Sequence, residues 1–124
     1  MSKLIFFVDD DRMILNLLEY TLNIREDCDV KTFYSGEECI RNLEMNPDLV
    51  VLDHVFKGAG DDPMNGLQTL EEIRKRDRDV PVVILTSLED DGLAEKFIRR
   101  GATKFIPKND FFIDALMETI DNEL

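Results

Sequence analysis

The feature that most constrains this chain is a strict alternation of short apolar runs with amphipathic segments. "KLIFFV" (3–8), "DVKTF" (29–33), "LVVL" (49–52), "VPVVILT" (80–86) and "KFIP" (104–107) each have the length and side-chain type of a strand. Helical patterns follow each of them. The first places Ile14, Leu17, Leu18 and Leu22 on one face. The second opens at Ser35 with Glu38 three residues on, a capping-box spacing, and stops at "NPD" (46–48). The third turns Leu67, Leu70 and Ile73 inward. The fourth runs from about Glu89 to Arg100 and meets Gly101 where a C-cap glycine belongs. The last carries Ile113, Leu116, Met117, Ile120 and Leu124 on one stripe.

"LVVL" has no polar alternation, which marks a strand buried on both faces. Five consecutive βα units of this kind predict one α/β domain: a parallel five-stranded sheet, doubly wound, with right-handed crossovers. Pro107 removes a ladder donor, so the fifth strand is expected at a sheet edge. With 124 residues and no internal linker, the expected domain spans 1–124, with no output domain after the fifth helix.

Charge and cysteine usage restrict the partners. A net charge of −12 repels nucleic-acid backbones and anionic headgroups, so neither a nucleic acid nor a membrane is expected as a direct ligand. No apolar run reaches the roughly 20 residues that span a bilayer, and "MSKLIFF" lacks signal-peptide organisation. A cytoplasmic protein is expected, with Cys28 and Cys39 reduced and partly buried.

In a parallel sheet all strand C-termini share one edge, and ligands bind in the crevice there. The residues delivered to that edge are Asp9, Asp10 and Asp11 after the first strand and Asp53 after the third. Thr86 and Ser87 follow the fourth, and Lys108 the fifth. A helix N-cap needs one aspartate, for which Asp11 suffices. Asp9 and Asp10 near Asp53 would repel one another unless a cation neutralised them, and a hard divalent ion suits such a set. A hydroxyl and an ammonium across the crevice suit the oxygens of a phosphoryl group. Together these describe a Mg²⁺-dependent phosphoryl site with a carboxylate nucleophile.

In order, "FFVDDDR", "LVVLDHV", "MNGLQTL", "VVILTS" and "GATKFIPK" resemble the response regulator receiver domain of two-component signalling, over essentially the whole chain. In extent the chain is similar to the stand-alone chemotaxis-type receivers. The resemblance implies a flavodoxin-like sheet of order 2-1-3-4-5. It makes Asp53 the phosphoacceptor and Asp10 the direct metal ligand. Asp9 would act mainly through a metal-bound water, and the Val55 carbonyl would complete the Mg²⁺ coordination. Thr86 becomes the hydroxyl that bonds the phosphoryl oxygen, Lys108 its cationic partner and Phe105 the aromatic switch. The implied partners are a sensor histidine kinase or histidine phosphotransfer protein and a downstream protein target, with homodimerisation left open. The implied activity is self-phosphorylation and dephosphorylation in a signalling domain, not conventional enzymology.

Four departures qualify the match. Asn109 follows Lys108 where most members have a cis-proline, and a cis non-proline bond costs roughly 2.5–4 kcal/mol, so a trans peptide is expected. The stretch from Asp53 to Gly66 is longer than usual and is expected to form an exposed flap. Within it "DDPMNGLQTLEE" imitates a calcium loop, but Pro63 replaces a ligand and helical periodicity runs through it. Val55 and Leu88 stand at positions that the resemblance sets along the path of the hydrolytic water, and aliphatic side chains there imply a long-lived aspartyl phosphate. His54 follows the phosphoacceptor but is expected to point away from it.

Two relatives in fold fit less well. A flavodoxin-type phosphate loop would not be "DDD", and a dehalogenase-type phosphatase would need an aspartate where Val55 stands. The remaining alternative is a receiver-like interaction module not controlled by phosphorylation.

Overall fold

The computed structural model describes residues 3–9, 11–53, 66–86, 91–108 and 111–123. Its strands are β1 (Lys3–Val8), β2 (Cys28–Phe33), β3 (Leu49–Asp53), β4 (Val82–Thr86) and β5 (Lys104–Pro107). The helices are α1 (Arg12–Asn23), α2 (Gly36–Arg41), α3 (Gly66–Arg76), α4 (Asp91–Arg99) and α5 (Phe112–Glu123), with a short 3-10 turn at Leu43–Met45. All pairings are parallel and the order is β2-β1-β3-β4-β5. The doubly wound, flavodoxin-like architecture and its strand order therefore stand as expected. Pro107 sits on the edge strand, where its missing N–H leaves no ladder partner wanting.

Successive strand residues point to opposite faces, so the sheet builds two cores. Ile5, Phe7, Val51 and Leu85 pack against Leu15, Leu18 and Leu22 of α1 and Leu116 and Ile120 of α5. Phe6, Val50, Leu52 and Ile84 pack against Cys39 of α2, Leu70 and Ile73 of α3, and Phe97 of α4. Burying each such side chain contributes about 1.5–3 kcal/mol. β3 and β4 are buried at every position, as expected of central parallel strands.

The sequence pattern erred on α1. Leu17 is 46% exposed, while Leu15, which the pattern omitted, is buried. The inward stripe is Leu15, Leu18 and Leu22, at i, i+3 and i+7, with Ile14 at its margin. On α5, Ile113 and Met117 are only half-buried beside the buried Leu116, Thr119 and Ile120; Leu124 lies outside the described residues.

Local signals hold the ends. Asp11 caps α1, its side chain accepting from Met13 N at 2.9 Å, and Ser35 Oγ caps α2 by accepting from Glu38 N at 3.3 Å. Gly101 ends α4 with φ 109°; Ala102 N donates to Phe97 O and Gly101 N to Ile98 O, the paired bonds of a Schellman motif. Both cysteines are buried and unbridged. In the would-be calcium loop, residues 61–65 lie outside the described set. The helix nevertheless continues from Gly66 through Glu72, whose carboxylate is taken by Lys75 and Arg76. No helix among the described residues is long and apolar enough to cross a membrane.

Candidate functional site

Strand register sets the site as a staircase. Val8 lies opposite Leu52, so Asp9 emerges level with Asp53 on the neighbouring strand. Asp53 pairs with Leu85, placing Thr86 one step beyond, and Thr86 pairs with Pro107, placing Lys108 beyond that. The Lys108 N–H donates to the Thr86 carbonyl at 2.7 Å, which anchors the exit of β5 against β4. The side chain of Lys108 can then reach back across two strands.

It does so to both carboxylates. Lys108 Nζ lies 2.9 Å from Asp9 Oδ2 and 3.1 Å from Asp53 Oδ1. Asp9 is also tied locally: its N–H donates to Phe33 O, and its Oδ1 accepts from the Asp11 N–H at 2.9 Å. That bond couples the site to the cap of α1. Asp9 and Asp53 are 3% and 5% exposed, so two carboxylates share one ammonium away from water.

The electrostatics follow from that count. Burial pushes the Asp53 carboxyl up to about 7, and the Asp9 charge adds to the rise while Lys108 opposes it. For Lys108, burial works against the ammonium, but the hydrogen bond to Asp9 and the charges of both carboxylates outweigh it and raise its pKa. The pocket is left with an excess of negative charge that a second cation would relieve. Its hard oxygen donors fit Mg²⁺. Among the described residues, no cluster of three or more His, Cys, Asp or Glu side chains gathers. Asp10 and Val55, which the resemblance makes metal ligands, lie outside the described residues, as do His54, Ser87, Leu88 and Asn109 with its peptide bond.

Thr86 is fully buried at the end of β4. Phe105 is half-buried on β5, its ring 6.0 Å from that of Phe97. At the rim, the Arg12 guanidinium lies 5.6 Å over the Tyr34 ring, a contact the sequence reading did not foresee. Nor did that reading foresee Lys108 spanning Asp9 and Asp53 directly. The available signal was one strand-end lysine set against several strand-end aspartates.

The sequence model described as "Response regulator receiver domain" matches residues 5–121. The chain is a response regulator receiver domain. Receiver domains are signalling domains, not conventional enzymes. Among curated proteins, this receiver domain is similar to the transcriptional regulatory protein CpxR homolog of Haemophilus influenzae, at 37% identity over 87% of the chain. It is also 30% identical, over 87% of the chain, to PhoP of Bacillus subtilis, named an alkaline phosphatase synthesis transcriptional regulatory protein. The matches cover 44% and 43% of those proteins, so the receiver domain spans less than half the length of the curated relatives it matches. Among solved structures, the DrrB receiver domain in its BeF3-activated form is 28% identical with a TM-score of 0.84. That match covers 99% of this chain and 97% of that one.

Proposed function

We propose that residues 1–124 act as a phosphoacceptor, with Asp53 taking a phosphoryl group from a phosphohistidine or a small phosphodonor. The observation that carries this reading is Asp53 itself: a buried carboxylate at a central strand end, bridged through one lysine to a second carboxylate. A carboxylate oxygen of Asp53 attacks phosphorus in line, the bond from phosphorus to the donor breaks, and the donor leaves with that electron pair. Lys108 then pairs with a phosphoryl oxygen, and the Thr86 hydroxyl donates to another. Phe105 follows Thr86 and changes the surface read by a downstream protein. Asp9, Asp10, Asp53 and the Val55 carbonyl would hold Mg²⁺, which would supply positive charge to offset the carboxylates and the incoming phosphoryl group.

The partners of this reading are a sensor histidine kinase or phosphotransfer protein and a protein target, in the cytoplasm. Val55 and Leu88 offer a hydrolytic water no orienting group, so the aspartyl phosphate is long-lived.

Incubation with Mg²⁺ and acetyl phosphate, followed by intact mass, tests the reading. One phosphoryl mass should appear on the native protein and none on Asp53→Ala, with the label persisting for minutes or longer. Equal labelling of both proteins would sink the assignment of Asp53. No labelling, together with no NMR response to beryllofluoride, would favour an interaction module outside phosphorylation control. Loss of the label within seconds would remove the claim of a long lifetime alone.

A further inference from the structure

Charge is unevenly placed in this acidic chain. Residues 74–78 and 96–100 hold seven of the 15 lysines and arginines and only one of the 27 acids. They lie at the C-terminal ends of α3 and α4, so the negative ends of two helix dipoles account for part of the enrichment. The fold then brings the two stretches together. Arg74 Nε donates to Gly101 O at 2.9 Å, and a guanidinium nitrogen of Arg100 lies 2.8 Å from a carboxylate oxygen of Glu71. With the neighbouring Glu71, Glu72, Asp79 and Glu95 included, cations still outnumber acids there by seven to five. The rest of the chain has eight cations to 22 acids.

A groove runs beside this cluster. Gly92, Glu95, Lys96, Arg99 and Arg100 share one face of α4 and line a cavity of about 400 Å³. The ion pair of Arg100 with Glu71 turns that face towards α3. Arg99 is paired with Glu95, and both side chains are exposed. Lys96 is exposed as well, and among the described residues no carboxylate pairs with it. The groove is open, and three cations stand along one wall.

That arrangement restricts the ligand. Exposed ion pairs contribute about 0.2–1 kcal/mol each, so a small anion meeting one or two of these groups gains too little to stay. The ligand must carry several negative charges on one backbone. A nucleic acid does, but its phosphates continue past the groove onto a surface dominated by acids, and an anionic membrane is wider still. A short acidic stretch of polypeptide ends where the groove ends. Its carboxylates also form the bidentate pairs that guanidinium groups favour.

We propose that the groove between α3 and α4 binds an acidic peptide segment of another protein, with Lys96, Arg99 and Arg100 meeting its carboxylates. The site uses none of the residues at the phosphoryl edge, so binding does not require Asp53. Because the attraction acts between exposed charges, it is weak and falls as salt rises.

Fluorescence anisotropy of a dye-labelled hexaglutamate peptide, titrated with the full chain at low salt, tests this, with circular dichroism checking that each variant folds. The native protein should bind the peptide and release it as salt is added. Lys96→Glu and Arg99→Gln should each weaken binding by about three- to tenfold, and Lys96→Arg should retain it. Lys31→Glu makes the same charge change as Lys96→Glu at an exposed position of β2 and should leave binding within about twofold. Absence of binding by the native protein overturns the proposal. So does an equal loss in Lys31→Glu, which would make net charge the cause. A hexathymidylate that binds as tightly through Lys96 would move the groove to nucleic acid and overturn the assignment to acidic peptide. Self-association of the native protein that Lys96→Glu abolishes would overturn it in favour of a second copy.

Discussion

Two cations withdrawn from water show how differently this molecule uses the same kind of charge. Lys108, its side chain 16% exposed, sits between two carboxylates, and its ammonium is held more firmly than in water. Half-buried Arg74 instead donates to three backbone carbonyls: Gly101 O at 2.9 Å, Val80 O at 2.7 Å and Asp77 O at 3.2 Å. Burial lowers the pKa of that guanidinium, with Asp77 and Asp79 pulling the other way. The lysine is one charge among several that can be exchanged, protonated or supplemented. The arginine is a clamp among fixed dipoles, joining the end of α3 to the turn between α4 and β5. Gly101 belongs to the clamp as well, since a Cβ there would stand 2.9 Å from Arg74 Nε.

The contrast predicts where damage can be compensated. Arg74→Ala strands three carbonyls, which cannot take up a proton in its place, so it should cost about 2–4 kcal/mol by urea unfolding. Mg²⁺ should not restore that loss, and the folded fraction should still take label from acetyl phosphate. Lys108→Ala leaves two carboxylates that can take up a proton or a metal ion. Its cost should be smaller, and millimolar Mg²⁺ should reverse much of it. Equal Mg²⁺ rescue of the two variants would break the comparison.

Asp53→Asn sharpens the same point. The native Asp53 pKa lies above its unfolded value, so the folded state binds the extra proton and stability falls as pH rises from about 4 to about 7. Without divalent cations the asparagine variant should therefore be more stable than the native chain by about 1–3 kcal/mol above pH 7. The gain should shrink as pH falls and vanish well below about pH 4, where Asp53 is protonated in the unfolded as well as the folded native chain. A gain independent of pH would mean that the buried charge of Asp53 is not its origin.

The smallest effect is assigned to Asp11. Asp11→Ala removes only the cap of α1, at about 0.5–2 kcal/mol, and should leave Mg²⁺ binding and labelling intact. Asp10→Ala should abolish Mg²⁺ binding instead, which calorimetry can compare directly.

Much of the fold was legible because its signals are local. "LVVL" could only be a central strand, Ser35 and Asp11 are caps by chemistry, and Gly101 is a C-cap by its position after the helical run. Pro107 announced an edge. α1 was misread because it carries two apolar stripes, and periodicity cannot say which of them the sheet will cover. The site was legible as an inventory of strand-end carboxylates, hydroxyl and lysine, since a parallel sheet sends every strand end to one edge. The partners of each side chain were not.

By itself, then, the sequence determined the alternation of elements, their caps and the set of charged groups that reach the sheet edge. Only the tertiary structure decided that Lys108 spans Asp9 and Asp53, that Arg74 closes on three carbonyls and that Leu17 faces outward. Capping and periodicity act within a turn or two of chain and are written in neighbouring residues. Contacts over 99 residues, such as Lys108 with Asp9, depend on strand order and register, which exist only once the whole sheet has formed.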